Sequence, residues 1–422
     1  MTVVAIAASM LLLFMAVPIF LVFGAGSAGA AILDLGLPWS TLIQVSYAAV
    51  TKPVLIAIPL FIFSGLAMLR GGIAGRLVHM TTTMVGHWPG GLAIGMVLAM
   101  GFFAAFCGSI LAAITAVGTI MMPKMIEQGY PAPFVIVLAA SAALLEALIP
   151  PSNAAIVFSA LTSVPVSKTF AAGIFPGLVL MVMLMVLAVW RCRHLRMATK
   201  ATRQEVWKSV LAAVPGLVTP VIILGGIYGG LLTPSETAAV SGVWAVFVGF
   251  VIHRELTFEG LLSALRQTAI ATTVIFSIIA MAMFLSVILT YTRTPQEIIS
   301  YFTTFGVTPM MFWLMLAVIC LILGTFIEIV PLFYLTVPIF AAIALSFDID
   351  ILHLFVVFTA FAGIGMITPP VCVGVYTAAG VVNVSPERAF REVPAFVVMG
   401  IVYGALMVMA PAVSTWLPKI LF

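Results

Sequence analysis

Charged residues are scarce in this chain: Asp, Glu, Lys and Arg make up 7% of its 422 residues, against about 25% in an average soluble domain. With 64% of the residues hydrophobic, that deficit excludes a water-soluble fold. Cysteine is scarcer still. Cys107, Cys320 and Cys372 lie inside apolar runs, and neither they nor Cys192 stand at a metal-ligand spacing, so all four read as small buried hydrophobes without a redox or metal role. His79, His87, His194, His253 and His353 fall near the ends of apolar runs, where a solvated interfacial role is expected, and no two have zinc-binding spacing. A glycine-rich phosphate loop ending in Lys-Ser or Lys-Thr is missing, so ATP is not hydrolysed on this chain and energy must come from an ion gradient or a partner. The net charge of +4 reflects where the basic residues sit and does not imply nucleic acid binding.

What fills the chain is apolar sequence. Charge-free runs include Trp88 to Pro123, Thr169 to Trp190, Ser209 to Ser235, Gln267 to Thr292 and Val393 to Pro418, and most reach the roughly 20 residues a helix needs to cross the hydrocarbon core. An all-α integral membrane protein follows, because a lipid-exposed backbone must satisfy its own hydrogen bonds. Met1 to Leu33 has no basic start, too long an apolar stretch for a signal peptide and no polar domain after it, and reads as a retained helix. Trp88, Trp190 and Trp416 sit near span ends, as an aromatic belt requires.

The densest polar stretch, Arg191 to Lys208, carries six basic residues against Glu205 alone and is therefore cytoplasmic. Counting crossings outward from it puts Arg70, Arg76, Lys124, Arg254, Arg266, Arg388 and Arg391 on the same side and leaves Lys52, Lys168, Arg293 and Lys419 opposite. The count works only if two apolar stretches dip in and return. Gly90 to Gln128 is too short for two full spans and a turn, and would open to the cytoplasm; Pro309 to Phe347, interrupted by Gly324 and Glu328, would open outward.

These two stretches also mark an internal repeat. Gly108-Ser109 matches Gly324-Thr325, Pro123 matches Pro338, Pro150-Pro151 matches Pro369-Pro370, Ser167 matches Ser385 and Pro176 matches Pro394, at a nearly constant offset. Five crossings between the hairpins make the second unit inverted relative to the first. Inverted repeats with helices broken at the membrane midplane are a common architecture of secondary transporters.

The broken helices carry the chemistry. Leu148 to Asn153 reads LIPPSN and Ile367 to Val371 reads ITPPV, each inside an apolar span. Paired prolines remove donors and push the preceding residue out of helical geometry, so each span breaks and frees carbonyls. A sodium ion held by those carbonyls and by hydroxyls such as Ser109, Thr325 and Thr368 would satisfy them. The tips, Cys107-Gly108-Ser109 and Gly324-Thr325, would add half-helix N-termini whose partial positive charge suits an anionic substrate. Three acids, Glu146, Glu236 and Glu328, fall inside apolar runs, where an ionised side chain is costly unless paired or ion-bound. Glu146 and Glu328 flank the two candidate ion sites; Glu236, in TPSETAA, fits a helix start equally well.

Taken together, PLFIFSGLAMLRGGIAGRLV from Pro59, GSILAAITAVGTIMMPKMIEQGY from Gly108, IPPSN followed by FAAGIFPGLVL, GIYGGLLTPSETAA from Gly226 and GMITPPV resemble the large membrane (M, permease) subunit of tripartite ATP-independent periplasmic (TRAP) transporters. The likeness runs in order to about Ala395. It implies a sodium-coupled importer of organic acid anions, carboxylates or sulfonates, in the bacterial inner membrane. A periplasmic solute-binding protein would deliver substrate to a complex of this chain with a small four-helix membrane subunit. An elevator mechanism is implied, with scaffold helices over residues 1–89, a transport domain over 90–165, scaffold and connecting helices over 166–308, transport domain again over 309–385 and a C-terminal scaffold helix over 386–422.

Carried over residue by residue, the resemblance implies one sodium site at Gly108, Ser109, Ile149, Pro150, Pro151 and Asn153, and another at Gly324, Thr325, Gly365, Met366 and Thr368. Substrate would sit near Ser109, Ser152, Asn153, Thr325 and Thr368. The sequence departs from the family habit at Cys107, where a serine is common, and at Glu146, where a glycine is usual. Glu146 therefore bears on the ions at the first site. Two other readings stand beside this one: a self-sufficient sodium/dicarboxylate symporter without a binding protein, and a membrane-embedded enzyme or structural subunit, for which no histidine–carboxylate cluster speaks.

Overall fold

The computed structural model describes residues 17–33, 35–195, 200–293, 296–297, 300 and 306–422. Among the described residues, seven helices are long and apolar enough to cross a membrane, or up to nine if each of two bent pairs is one span. The retained helix expected from Met1 to Leu33 lies outside the described residues as far as residue 16, and helix runs over Ile19–Leu33 (α1).

The helices pack as two bundles. The first contains α1, Trp39–Val50 (α2), Ala57–Arg70 (α3), Ile73–Val85 (α4), Arg203–Tyr228 (α11), Pro234–Phe247 (α12) and Phe258–Tyr291 (α13). The second contains Gly91–Cys107 (α5), Ile110–Glu127 (α6), Ala132–Ala142 (α7), Leu145–Leu148 (α8), Asn153–Thr162 (α9), Val166–Cys192 (α10), Pro309–Gly324 (α14), Ile329–Ser346 (α15), Ile351–Ile367 (α16), Val373–Val381 (α17), Val393–Met409 (α18) and Pro411–Leu421 (α19). Helices α5 and α6 form one hairpin, and α14 and α15 the other. Between them run five spans: the broken α7–α9, then α10, α11, α12 and α13. That odd number inverts the second unit, as the charge pattern requires.

Local sequence sets the boundaries. Gly72 and Gly90 take left-handed φ values of 78° and 68° at the starts of α4 and α5, which a side chain would resist. Thr308 before Pro309 and Asp350 before Ile351 cap their helices, accepting from Met311 N at 3.3 Å and Leu352 N at 2.8 Å. Helices α5 and α16 are apolar on every face and buried almost throughout, the mark of a bundle centre. Outward side chains such as Val186, Val221, Val243 and Leu314 are exposed and apolar, as a lipid-facing surface demands.

Contacts between distant segments join ends that the positive-inside count puts on one side. Arg76 pairs with Glu255 at 2.6 Å, and Arg191 pairs with Glu392. His253 Nδ1 lies 2.9 Å from Gly71 O, and burial pushes this imidazole below its usual pKa. On the opposite side Lys52 Nζ donates to Ala160 O at 2.6 Å.

Two features differ from expectation. His353 is not a solvated interfacial residue: it is 4% exposed, its Nδ1 lies 2.9 Å from Ser414 Oγ, and its ring meets Trp313 edge-on at 5.1 Å. The start of α16 is covered there by α14 and α19. The C-terminal segment is not one helix, because Pro411 follows an Ala410 held out of helical geometry and the pair α18–α19 bends by 56°. Helix α10 and the C-terminal helices pack on the hairpin bundle. Gly173 of α10 sits so close to α8 that a Cβ would stand 2.1 Å from Leu148 O, and Tyr403 Oη of α18 donates to Pro176 O at 3.1 Å.

Candidate functional site

Each hairpin tip lies against one broken helix. In the first, α8 ends at Ile149, whose ψ of 125° is extended, the Pro150–Pro151 bond is cis, and the two arms bend by 43°. Ser152 restarts the chain as α9. Its Oγ donates to Ala147 O at 2.8 Å across the break and accepts from Ala155 N at 3.3 Å, serving both ends at once. Gly108, at φ 63°, brings the tip onto this break: a Cβ there would stand 2.6 Å from Pro151 O and 3.2 Å from Asn153 N. Ser109 then starts α6 in extended conformation.

Glu146 lies behind this contact. It is fully buried, and neither carboxyl oxygen has a hydrogen-bond partner. The backbone amides of Gly108 and Ser109 are the polar groups that act on it, and they lie outside hydrogen-bond geometry. Asn153 Oδ1, at the same junction, is also buried and unpartnered. Orphaned oxygens of this kind in a native core call for an explanation. Beyond those two amides, the free lone pairs of these oxygens could also face a desolvated cation.

The second junction is built from backbone. A Cβ on Gly324 would stand 2.7 Å from Ala362 O, and one on Gly365 would stand 2.7 Å from Gly324 Cα, so tip and helix touch main chain to main chain. Thr368 ends α16, its Oγ1 donating to Ile364 O at 2.7 Å; the Pro369–Pro370 bond is cis. Cys372, at φ 37°, donates its N–H to Thr325 O at 3.1 Å before α17 begins. Thr325 Oγ1 donates to Ile322 O at 2.8 Å, and Met366 is fully buried.

A cleft of about 80 Å³ opens between the bundles. Ser109, Asn153 and Glu328 line one wall, and Val274, Ile275 and Ile278 of α13 form the other. Of the residues expected near substrate, Ser109 and Asn153 therefore reach the cleft, whereas Ser152, Thr325 and Thr368 stand behind it with their hydroxyls bonded to main chain. Glu328 caps α15 by position, without a side-chain capping bond. Glu236 is set apart from both junctions: its Oε2 accepts from Thr233 N and Thr233 Oγ1, both at 2.8 Å, in a capping box that starts α12. Nothing in the sequence singled out the α13 wall, which is three aliphatic side chains in a long apolar run.

Inverted hairpin-and-broken-helix units meeting between two helical bundles are an architecture found in many secondary membrane transporters. Solved structures share this fold. The Alcanivorax borkumensis YdaH transporter aligns over 90% of both chains with a TM-score of 0.61 at 12% identity. MtrF of Neisseria gonorrhoeae, from a class of antimetabolite efflux pumps, aligns over 92% of this chain and 83% of its own with a TM-score of 0.57 at 12% identity.

Residues 4–413 match the DctM component of the tripartite ATP-independent periplasmic transporters, and the chain belongs to that family. The C4-dicarboxylate TRAP transporter large permease protein DctM of Pseudomonas aeruginosa is 37% identical over 86% of each chain. The sialic acid TRAP transporter large permease protein SiaM of Vibrio cholerae is 31% identical over 87% of this chain and 86% of its own. The isethionate TRAP transporter permease protein DctMQ of Oleidesulfovibrio alaskensis is 30% identical over 97% of this chain, which spans 64% of that longer protein. The chain is thus the large permease of a TRAP transporter, a multi-pass protein of the bacterial inner membrane and not an enzyme.

Proposed function

We propose that this chain imports the anion of an organic acid, a carboxylate or sulfonate, in symport with sodium. A periplasmic binding protein delivers the substrate, and a small four-helix membrane subunit completes the complex. The reading rests above all on the orphaned oxygens of Glu146 and Asn153 where the Gly108–Ser109 tip meets the first break. A sodium ion there, held by Glu146, Asn153 and freed carbonyls of Ile149, Pro150 and Pro151, would compensate a charge whose uncompensated burial costs several kcal/mol. The second junction, around Gly324, Thr325, Gly365, Met366 and Thr368, would take another ion through carbonyls alone. Support for the substrate class comes from relatives named for C4-dicarboxylates, isethionate and sialic acid. The positive ends of α6 and α15, pointing into the cleft, suit a carboxylate or sulfonate.

An elevator motion is the second part of the proposal. The hairpin bundle, with α10, α18 and α19 carried along, would slide against α13, whose wall toward the cleft is aliphatic and makes no directional bonds. Lys52, which bonds Ala160 across the boundary, would release or exchange that partner.

The test is uptake of a labelled organic acid into proteoliposomes holding the chain and its small subunit, with binding protein present or omitted and with an inward sodium or choline gradient. Uptake that needs both sodium and binding protein is the expected result. Uptake without binding protein would make the chain a self-sufficient symporter, and indifference to sodium would remove the proposed coupling ion.

A further inference from the structure

A larger cavity, of about 570 Å³, lies at the cytoplasmic end, far from the cleft. One wall is His79, Thr82 and Thr83 of α4; the base of the first hairpin supplies Leu92, Met121, Lys124 and Gln128. Lys200, Glu205 and Lys208, before and within the first turns of α11, close the third side. Three ammonium groups and an imidazole thus face one carboxylate. That carboxylate is already engaged, since Glu205 Oε2 accepts from Thr202 N at 2.7 Å and Thr202 Oγ1 at 3.0 Å. Among the described residues, no hydrogen bond or salt bridge reaches the ammonium groups of Lys124, Lys200 and Lys208, although Lys208 acts on Glu205 through space.

Three lysine cations facing a single carboxylate leave net positive charge in a shared space, and an anion relieves the remaining repulsion. The cavity is not a bare charged surface. Its floor includes the edge of Leu92 and the methyl-bearing Thr82 and Thr83, so apolar carbon stands beside the ammonium groups. A small inorganic anion would leave both that floor and most of the volume unused. A phosphodiester whose glycerol backbone and acyl carbons follow it would use all three features. Lys124, in the last turn of α6, and the Arg191 to Lys208 stretch place the cavity at the level of the inner-leaflet head groups.

We propose that this cavity binds the head group of an anionic phospholipid of the cytoplasmic leaflet, with Lys124 and Lys208 as its main phosphate contacts. Basic pockets between membrane helices on that side are suited to acidic lipid head groups. The site joins the base of the first hairpin to α4 and α11, and so links the two bundles through a lipid. It stands whether or not sodium drives transport.

The test uses the purified full chain in neutral detergent, titrated separately with phosphatidylglycerol, phosphatidylcholine and inorganic phosphate. Retained lipid is read by native mass spectrometry, and the unfolding midpoint by thermal scan. Phosphatidylglycerol should bind saturably and raise the midpoint, while phosphatidylcholine and phosphate should not. Lys124→Gln with Lys208→Gln should weaken that binding by about tenfold or more, whereas Lys419→Gln, at the other end of the molecule, should not. Should the double variant fail to fold, high salt applied to the unaltered chain should still loosen phosphatidylglycerol. Equal retention of the two lipids, equal stabilisation by phosphate, or indifference to both the double substitution and salt would each overturn the proposal.

Discussion

The two halves of the repeat share a backbone plan and differ in chemistry. In both, a glycine tip meets a helix broken at a proline pair, closely enough that a methyl group would collide with main chain. The first junction is buried from Pro150 to Asn153, organised by the Ser152 side chain, and backed by an unpartnered carboxylate. The second exposes Pro370 and Val371, has its acid, Glu328, on the cleft wall at the start of α15, and is joined by a main-chain bond from Cys372 to Thr325. What the repeat preserves is therefore steric: a cradle of turned-out carbonyls. The acid is placed differently in the two halves, fully buried behind the first tip and on the cleft wall beside the second, which argues that the two sites would not bind an ion in the same way.

The largest effects should come from breaking what the halves share. Gly108→Ala would push a Cβ against Pro151 O from a left-handed residue, and Gly365→Ala would press one on Gly324 Cα. Overpacking a core usually costs about 1–3 kcal/mol, and main chain cannot rotate aside as a side chain does, so both should fall at the upper end and abolish uptake. Gly380→Ala on α17, with nothing within 4 Å, should leave uptake and unfolding midpoint near normal. If Gly108→Ala transports normally, the tip does not need to touch the break.

Removing what separates the halves should come next. Glu146→Gln keeps the volume and deletes the charge. Sodium chloride, compared with choline chloride, should then stabilise the protein less against heat, and the sodium concentration for half-maximal uptake should rise about tenfold or more. Glu328→Gln, at the cleft wall and not fully buried, should shift either quantity less. Equal shifts would show that burial of Glu146 is not what distinguishes the first site.

The outer arms of the broken helices also differ. Lys52 reaches from the other bundle to cap the end of α9 through Ala160 O, whereas α17 ends at Val381 with main-chain bonds only. Lys52→Met should lower the unfolding midpoint by the equivalent of about 1 kcal/mol and should change uptake rate more than apparent substrate affinity if this contact breaks during the transport cycle.

Much of this plan was legible because proline and glycine punctuate apolar sequence wherever a helix must stop. The proline pairs, both glycine tips and the parity of five spans between the hairpins were all readable that way. So was the helix start at Glu236, since TPSE carries its own capping geometry. Side-to-side packing was not readable. Helices α10 and α18 are apolar around their circumference, so no stripe in their sequence says which bundle they join. The burial of His353 depends on Ser414, distant along the chain, and the cytoplasmic cavity depends on three separate segments. Its lysines served the sequence reading only as markers of sidedness.

The smallest expected difference is also the most specific one. Ser152 and Cys372 occupy matching places, each the residue before the second half-helix restarts. Ser152→Ala removes an N-cap acceptor and a bond to Ala147 O across the break, a loss of about 1 kcal/mol. Cys372→Ala leaves the N–H that bonds Thr325 O untouched and removes only a buried sulfur, so its cost should be set by packing and be smaller. Thermal unfolding of both variants, in the same detergent and without sodium, compares them directly. A larger loss at Cys372 would mean that its side chain, and not its backbone, holds the second junction, and the division into a side-chain-built half and a main-chain-built half would have to be given up.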